Sequence, residues 1–468
     1  MAWREQRAVE GGAGRAGHRP HCNGPAVFRL APRASLYSRV VCRDRLLRYL
    51  YTLAMYLVTP LLVLRLLVRS VRSDTTYRRR WPERFGFFKA PGFVGSLWVH
   101  AVSVGEVNAA EPLIKALRRD YPRAPLVVTT VTPTGKARVQ QLFGDSVFHV
   151  YLPYDLPFSV SRFLKKVRPR LALIVETEIW PNLYFACRRR GIPLMIVNAR
   201  LSDRSMRGYK PMRGLARPAL RCVDLIAAQS RADAARYRLL GADPQKIMVA
   251  GNMKFDMPIP EGAVEAGAAM RAHWGPRRPV WMAASTHEGE ELAVFEAHLA
   301  VLKRLPDALL VIAPRHPERF RLVENAGRSL GFSVATHSAD GVPSARHQVF
   351  VIDAMGQMMP FFAASDVAFV AGSLVPIGGH NVLEPAALSV PVLVGPHTFN
   401  FEEITRSLID QGGAERVGAV DCLGKEVLGL LLDPGRRERM GEAAQRVFDR
   451  ERGAVQRIMQ TIDALLQE

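Results

Sequence analysis

Cysteine is scarce. The 468 residues hold five, Cys22, Cys42, Cys187, Cys222 and Cys422. No two have the spacing of a zinc site, and an odd scattered set does not make a disulfide framework, so a reducing compartment is expected. Aromatic residues are 8% of the chain and never alternate with basic ones as base-stacking surfaces require, which argues against a nucleic-acid binder. Acidic residues are few, 43 against 64 Lys and Arg, for a net charge of +21. The imbalance is local: residues 1–90 carry 18 Lys/Arg and 5 Asp/Glu, which supplies +13 of it. Several motifs are missing as well. No G-x-x-x-x-G-K-[ST] exists, which removes a P-loop, and no G-x-G-x-x-G follows a strand. The one match, "GAGRAG" from Gly12, lies in a stretch without periodicity. No G-x-S-x-G follows a strand, as a nucleophile elbow requires. No D-x-D occurs either, so the simplest device for holding a metal-bound sugar diphosphate is absent.

What is present begins with residues 1–45, rich in Arg, Gly, Ala and Pro, which read as disordered or as an over-early start. The run "LLRYLYTLAMYLVTPLLVLRLLVRS" follows, from Leu46 to Ser70. It is uncharged from Tyr49 to Leu64, somewhat short of the roughly 20 residues that span a bilayer, and Arg65 can snorkel to extend it. Both flanks are basic, and no small-residue cleavage site follows. Residues 46–70 are therefore expected to form a membrane anchor helix, spanning or interfacial. The remaining chain would lie on the cytoplasmic side, beside anionic head groups.

From Ser96 the pattern changes to short Val/Ile/Leu runs alternating with helical stretches. "LWVHAV", "PLVVTTV", "FHVYLPY", "LALIVET", "PLMIVNA", "DLIAAQ" and "KIMVAG" read as strands of one parallel sheet. "VWMAAST", "ALLVIAP", "QVFVIDA", "VAFVAG" and "PVLVGP" read as strands of a second. The expectation is an α/β chain of two Rossmann-like, doubly wound domains facing across a cleft: 71–256, a linker at 257–279, 280–445, and a C-terminal helix at 446–468.

In such sheets ligands sit beyond the carboxyl ends of the strands. Glu106 stands there in "SVGE", at a helix start whose dipole favours the charged form. It can take a proton from an attacking hydroxyl, and it repels phosphate, which sends a nucleotide to the other domain. Glu176 and Glu178 in "ETEIWPN" form a second acidic pair. Lys254 in "GNMKFD" can neutralise a leaving phosphate. On the second domain, Arg315 in "PRHPERF" is a planar donor for phosphate. "AMGQM" offers backbone amides around Gly356. In "GSLVPIGGHNVLEP", His380 and Asn381 can donate to phosphate and Glu384 can accept from ribose hydroxyls.

At these residues the chain resembles the bacterial 3-deoxy-D-manno-octulosonic acid (Kdo) transferases. The resemblance rests on "RRRWPERFGF", "HAVSVGE", "TVTPTG", "YLPYDLP", "ETEIWPNL", "NARLS", "LIAAQS", "GNMKFD", "STHEGEE", "PRHPERF", "GGHNVLEP" and "VGPHTFNF", in that order over about residues 46–465. It implies a GT-B fold and an inverting glycosyltransferase of the bacterial inner membrane, with its catalytic domains on the cytoplasmic face. The implied donor is CMP-Kdo and the implied acceptor is lipid IVA, the lipid A precursor. Glu106 falls on the family's general base, and Glu176 and Lys254 fall on transition-state stabilisers. The CMP contacts fall on Pro314 and Arg315, on Met355, Gly356 and Gln357, and on Asn381, Val382, Leu383 and Glu384. Gln357 stands where an acidic residue is common. No cofactor and no essential metal are expected, since CMP leaves with a single phosphate. The alternatives are another two-domain sugar-nucleotide enzyme, such as a UDP-sugar epimerase, and a non-catalytic carbohydrate-binding protein.

Overall fold

The computed structural model describes residues 41–72, 80–418 and 422–467. The expected disordered extension lies outside the described residues up to residue 40, as does the basic flank from 73 to 79.

Fourteen strands among the described residues form two seven-stranded sheets, with every pairing parallel. The first contains β1 (Ser96–His100), β2 (Leu126–Thr130), β3 (Phe148–Tyr151), β4 (Pro169–Val175), β5 (Leu194–Ala199), β6 (Leu225–Ala228) and β7 (Ile247–Val249), in the order β3-β2-β1-β4-β5-β6-β7. The second contains β8 (Val280–Thr286), β9 (Leu309–Pro314), β10 (Val334–Thr336), β11 (Val349–Val351), β12 (Val367–Val370), β13 (Val392–Val394) and β14 (Ala414–Arg416), in the order β10-β11-β9-β8-β12-β13-β14. The central strands are buried on both faces, which is why their sequences read as unbroken Val/Ile/Leu runs. Each sheet has one place where the winding direction reverses, between β1 and β4 and between β8 and β12. These are the switch points at which open α/β sheets leave a crevice. Two strands were not legible, β10 and β14. Each has three residues on a sheet edge, too few to show a period.

The stretch 257–279 contains a helix, Ala263–Trp274, and Trp274 is buried against Phe350 and Phe361 of the second sheet's core. The crossing between domains is instead the short turn Met253–Asp256. Met253 belongs to the apolar cluster of the first domain and Phe255 to a cluster of the second. Two buried side chains two positions apart thus bind one turn to both halves.

At its far end the chain crosses back. Helices α1 (Val41–Arg72), α2 (Val104–Asp120), α3 (Pro181–Arg189), α4 (Arg213–Leu220), α5 (Glu402–Asp410), α6 (Pro434–Glu451) and α7 (Ala454–Gln467) are the ones that matter here. After α6, which packs on the second sheet, α7 returns to the first domain. Its Val455, Ile458, Met459 and Ile462 are buried with Leu97, Val99 and Ile114. The Asp256 carboxylate accepts the amides of Gly453 (2.5 Å) and Val455 (2.7 Å), so the outgoing and returning crossings are tied together.

Helix α1 begins upstream of the expected anchor and contains the stretch Leu46–Leu64, long and apolar enough to cross a membrane. Leu46, Tyr49, Leu50, Leu53, Leu57, Leu61 and Leu64 are exposed. The other side is docked on the first domain. Arg48 and Thr52 donate to Asn182 Oδ1 at 3.2 Å each, and the Tyr51 hydroxyl donates to Asp155 at 3.0 Å. Asp155 also accepts the amides of Asn182 (2.9 Å) and Leu183 (2.8 Å) in the first turn of α3.

Replacing Asp256 with Ala strands two amides at the domain crossing. The expected loss is about 1–3 kcal/mol, read as a lower urea midpoint at unchanged slope; an unchanged midpoint contradicts the clamp.

Candidate active site

The first switch point is acidic. Ser103 precedes α2, and Glu106 lies in its first turn. The Glu106 carboxylate reaches back to accept the Val102 amide at 2.7 Å, and the Ser103 hydroxyl lies 3.4 Å from its other oxygen. This is a capping arrangement, and it holds the carboxylate over the end of β1 rather than out in solvent. Just after the adjacent β4, Glu176 sits at φ +62°, a left-handed conformation rare for a residue with a Cβ. Its carbonyl accepts the Tyr237 hydroxyl at 3.2 Å. The Glu178 carboxylate accepts the Trp180 indole N–H at 2.8 Å.

These carboxylates lie close enough to feel one another. Burial, with Glu176 and Glu178 adding to it, pushes the Glu106 carboxyl to about 8, against the pull of the Val102 and Ser103 hydrogen bonds. The expectation that the helix dipole keeps Glu106 in its charged form is therefore corrected. Desolvation and like charge outweigh the dipole. Glu178 rises to about 7 for the same reasons.

Lys254 is the counter-charge. It lies in the Met253–Asp256 turn, between the two side chains that anchor that turn to opposite domains. Burial lowers its pKa, while Glu176, Glu106 and Glu403 pull it back up. Among the described residues no carboxylate pairs with it within 4 Å; its ammonium rests 5.2 Å from the centroid of the Phe401 ring, just before α5 of the second domain. Arg200 of the first domain and Glu403 of the second approach to 4.0 Å beside it. The cleft between the two sheets therefore has Lys254 on its floor.

Across that cleft lies the second switch point, which is cationic. Arg315 follows β9 directly, and its amide donates to Thr286 O of β8 at 2.9 Å. Its guanidinium is half-buried and has no ion pair among the described residues. After β12 comes the long loop that holds His380 and Asn381. The Asn381 amide donates to Glu384 Oε1 at 3.0 Å, and burial raises the Glu384 carboxyl. Val382 and Leu383 turn their side chains into an apolar cluster, so only their backbone can meet a ligand. Pro314 is buried at the end of β9, and Met355, Gly356 and Gln357 form an exposed loop after β11. Gln357 accepts at its Oε1 from His337 Nε2 at 3.0 Å. The expected residues thus gather at the carboxyl edges of the two sheets. A cavity of about 650 Å³ at the amino ends of β2 and β3, lined by Arg80, Lys89, Phe93 and Phe148, contains none of them.

Three positions that shape the site were missed. Glu290 is fully buried and accepts four amides, those of His287 (3.1 Å), Gly372 (2.7 Å), Ser373 (3.0 Å) and Leu374 (2.9 Å). It locks the end of β8 to the end of β12. Asn198, buried at φ +52°, accepts the Met253 amide at 2.9 Å and so fixes the turn that carries Lys254. His287 meets His380 across the second switch point. Each lay in a quoted motif, "STHEGEE" or "NARLS", without a local signal of its own.

Two parallel-sheet α/β domains with polar strand ends define a GT-B fold. The fold is shared with UDP-GlcNAc 2-epimerase from Neisseria meningitidis bound to UDP-GlcNAc: TM-score 0.52 and 16% identity, over 78% of this chain and 99% of that one. Residues 79–257 match the family described as 3-deoxy-D-manno-octulosonic-acid transferase (kdotransferase). The chain is 42% identical over 424 residues to 3-deoxy-D-manno-octulosonic acid transferase of Haemophilus influenzae, spanning 90% of this chain and 99% of that one. It is 37% identical to the Bordetella pertussis protein of the same name, over 89% and 98%. The chain belongs to the Kdo transferases and is a glycosyltransferase.

Glu290→Gln replaces one acceptor oxygen with an amide that faces other N–H groups. It is expected to lower stability by about 2–3 kcal/mol by denaturant titration, and an equally stable variant contradicts the lock.

Proposed function

We propose that the protein transfers Kdo from CMP-Kdo to lipid IVA with inversion at the anomeric carbon, and that Glu106 is the general base. The observation that carries this reading is that Glu106, its pKa raised to about 8, shares a cleft with Lys254, an ammonium without an ion pair among the described residues. A carboxylate that titrates near neutrality is matched to taking a proton from a hydroxyl at working pH. The first switch point is lined by three carboxyl groups and the second by Arg315, which supports seating the nucleotide on the second domain and the acceptor on the first. The same division assigns residues 71–256 to the acceptor and 280–445 to the CMP-sugar.

In this mechanism Glu106 removes the proton of a glucosamine hydroxyl. The oxygen attacks the anomeric carbon from the face opposite CMP, and the bond to the phosphate oxygen breaks. Lys254 and Glu176 hold the charge pattern of that transition state, while Arg315 and the amides around Gly356 and Asn381 receive the departing phosphate. One phosphate met by two cations needs no metal. The exposed leucines of α1 support attachment to a membrane, which in this reading is the inner membrane with the catalytic domains on its cytoplasmic face. Its polar docking through Arg48, Tyr51 and Thr52 favours a helix lying along the interface over one that leaves the protein to span.

Glu106→Ala should reduce Kdo transfer to lipid IVA by about a thousandfold while CMP binding stays within about twofold, with product measured by mass spectrometry. Undiminished transfer refutes the base. In the wild type saturated with CMP-Kdo, kcat/KM for lipid IVA should rise with pH to a plateau above about 8 and fall about tenfold per unit below it, and Glu106→Gln should abolish that dependence. The linkage has a definite sign. A carboxyl raised in the folded state contributes stability that is full below its unfolded pKa, near 4.3, and is lost as pH rises through about 8. Glu106→Gln should therefore melt higher than wild type at pH 9 and alike at pH 4.

A further inference from the structure

Two histidines meet at the second switch point and have no part in the mechanism above. His287 follows β8 and His380 lies in the loop after β12. Their Nε2 atoms are 2.7 Å apart, with the ring planes 3° from parallel and the centroids 5.0 Å apart. At that separation one nitrogen must carry a proton and the other must not. Gly372 makes room for the pair: a Cβ there would stand 2.8 Å from the His380 ring. Glu290 holds both loops that carry the rings. His316 packs edge-on against His287 at 5.3 Å, and Arg315 stands beside it at the end of β9. Three adjacent strands, β9, β8 and β12, therefore present one guanidinium and three imidazoles at a single edge.

The charges around this cluster leave it short of anions. Glu291 is paired with Arg319 at 2.8 Å, and Glu288 approaches the same arginine at 3.4 Å. Glu290 is consumed by four amides. Burial, the partner ring, Arg315 and His316 all hold His380 down, to about 4, and His287 is lowered by burial and the same cations. The resting pair is neutral and ready to accept charge once an anion arrives. Among the described residues no group of three or more His, Cys, Asp or Glu side chains is arranged as metal ligands would be.

We propose that His287 and His380, with Arg315, form the anion subsite of the donor, and that the pair takes up one proton when the donor binds. This rests on the reading that CMP-Kdo sits at the second switch point. The proton goes to the free nitrogen of the donating ring, which becomes an imidazolium still bonded to its neutral partner. The charge-assisted bond faces an anionic oxygen of the donor. The donor offers two such groups next to each other, the phosphodiester and the sugar carboxylate, and either satisfies this chemistry. His316 adds field and no direct bond.

The test is calorimetric titration of the full-length protein, without acceptor, in buffers of different ionisation heat. CMP-Kdo is the ligand for counting protons, because its diester phosphate does not titrate near neutrality, whereas the phosphate of CMP does, at about pH 6. Wild type should take up close to one proton per donor bound at pH 7, and its affinity should fall as pH rises from 6 to 8. His287→Gln and His380→Gln should lose the uptake and the pH dependence and bind about tenfold more weakly. Two variants guard against one failing to fold. Zero uptake in wild type, or the same uptake in both variants, overturns the proposal. CMP alone is the second arm: weakening of CMP and CMP-Kdo alike assigns the phosphate, and weakening confined to CMP-Kdo assigns the carboxylate. If neither ligand binds the wild type, the donor-site reading itself falls, and this inference falls with it.

Discussion

Three carboxylates and one ammonium are held out of water at the seam between two domains, and the rest of the site depends on that balance. Glu106, Glu176 and Glu178 crowd the first switch point, and burial makes the negative charges of Glu106 and Glu178 expensive. Lys254 is the cation that relieves them, and neither domain alone places it. Met253 is packed in one core and Phe255 in the other, so the ammonium between them is fixed only when both halves are in register. The Asp256 clamp on the returning helix then holds that register from the second crossing.

The two sheets divide the electrostatic work. The first presents acid at its switch point and the second presents Arg315 and imidazoles. A ligand with a neutral hydroxyl fits the first edge, and a ligand with phosphate fits the second. In the proposed mechanism this asymmetry orients the reaction across the gap, with each set of groups carried at strand ends. The tense conformations of Glu176 and Asn198 lie at those ends, where strain can be tolerated for the sake of position.

Most of the fold was legible because buried parallel strands are written as runs of Val, Ile and Leu; twelve of the fourteen announced themselves in this way. Glu106 was legible as well, since a strand, a glycine and an amphipathic helix leave one position facing the crevice. Its protonation was not. The helix dipole is a local property, but what overrules it is burial first and then the carboxylates that follow β4, some seventy residues later. The same reason hid His287 and His380, which are 93 positions apart and acquire meaning only as a pair. Glu290 looked like one more acid in "STHEGEE" until its four amide partners were assembled from two loops. Sequence reports what a residue is and where its strand ends; charge state and partnership come from what folding brings opposite.

The most direct measurement is a crystal structure of the Glu106→Gln protein with unreacted CMP-Kdo. The account predicts the phosphate beside Arg315 on the second domain, with the far face of the anomeric carbon turned toward residue 106. A donor seated on the first domain, or an anomeric carbon whose open face looks away from residue 106, contradicts it.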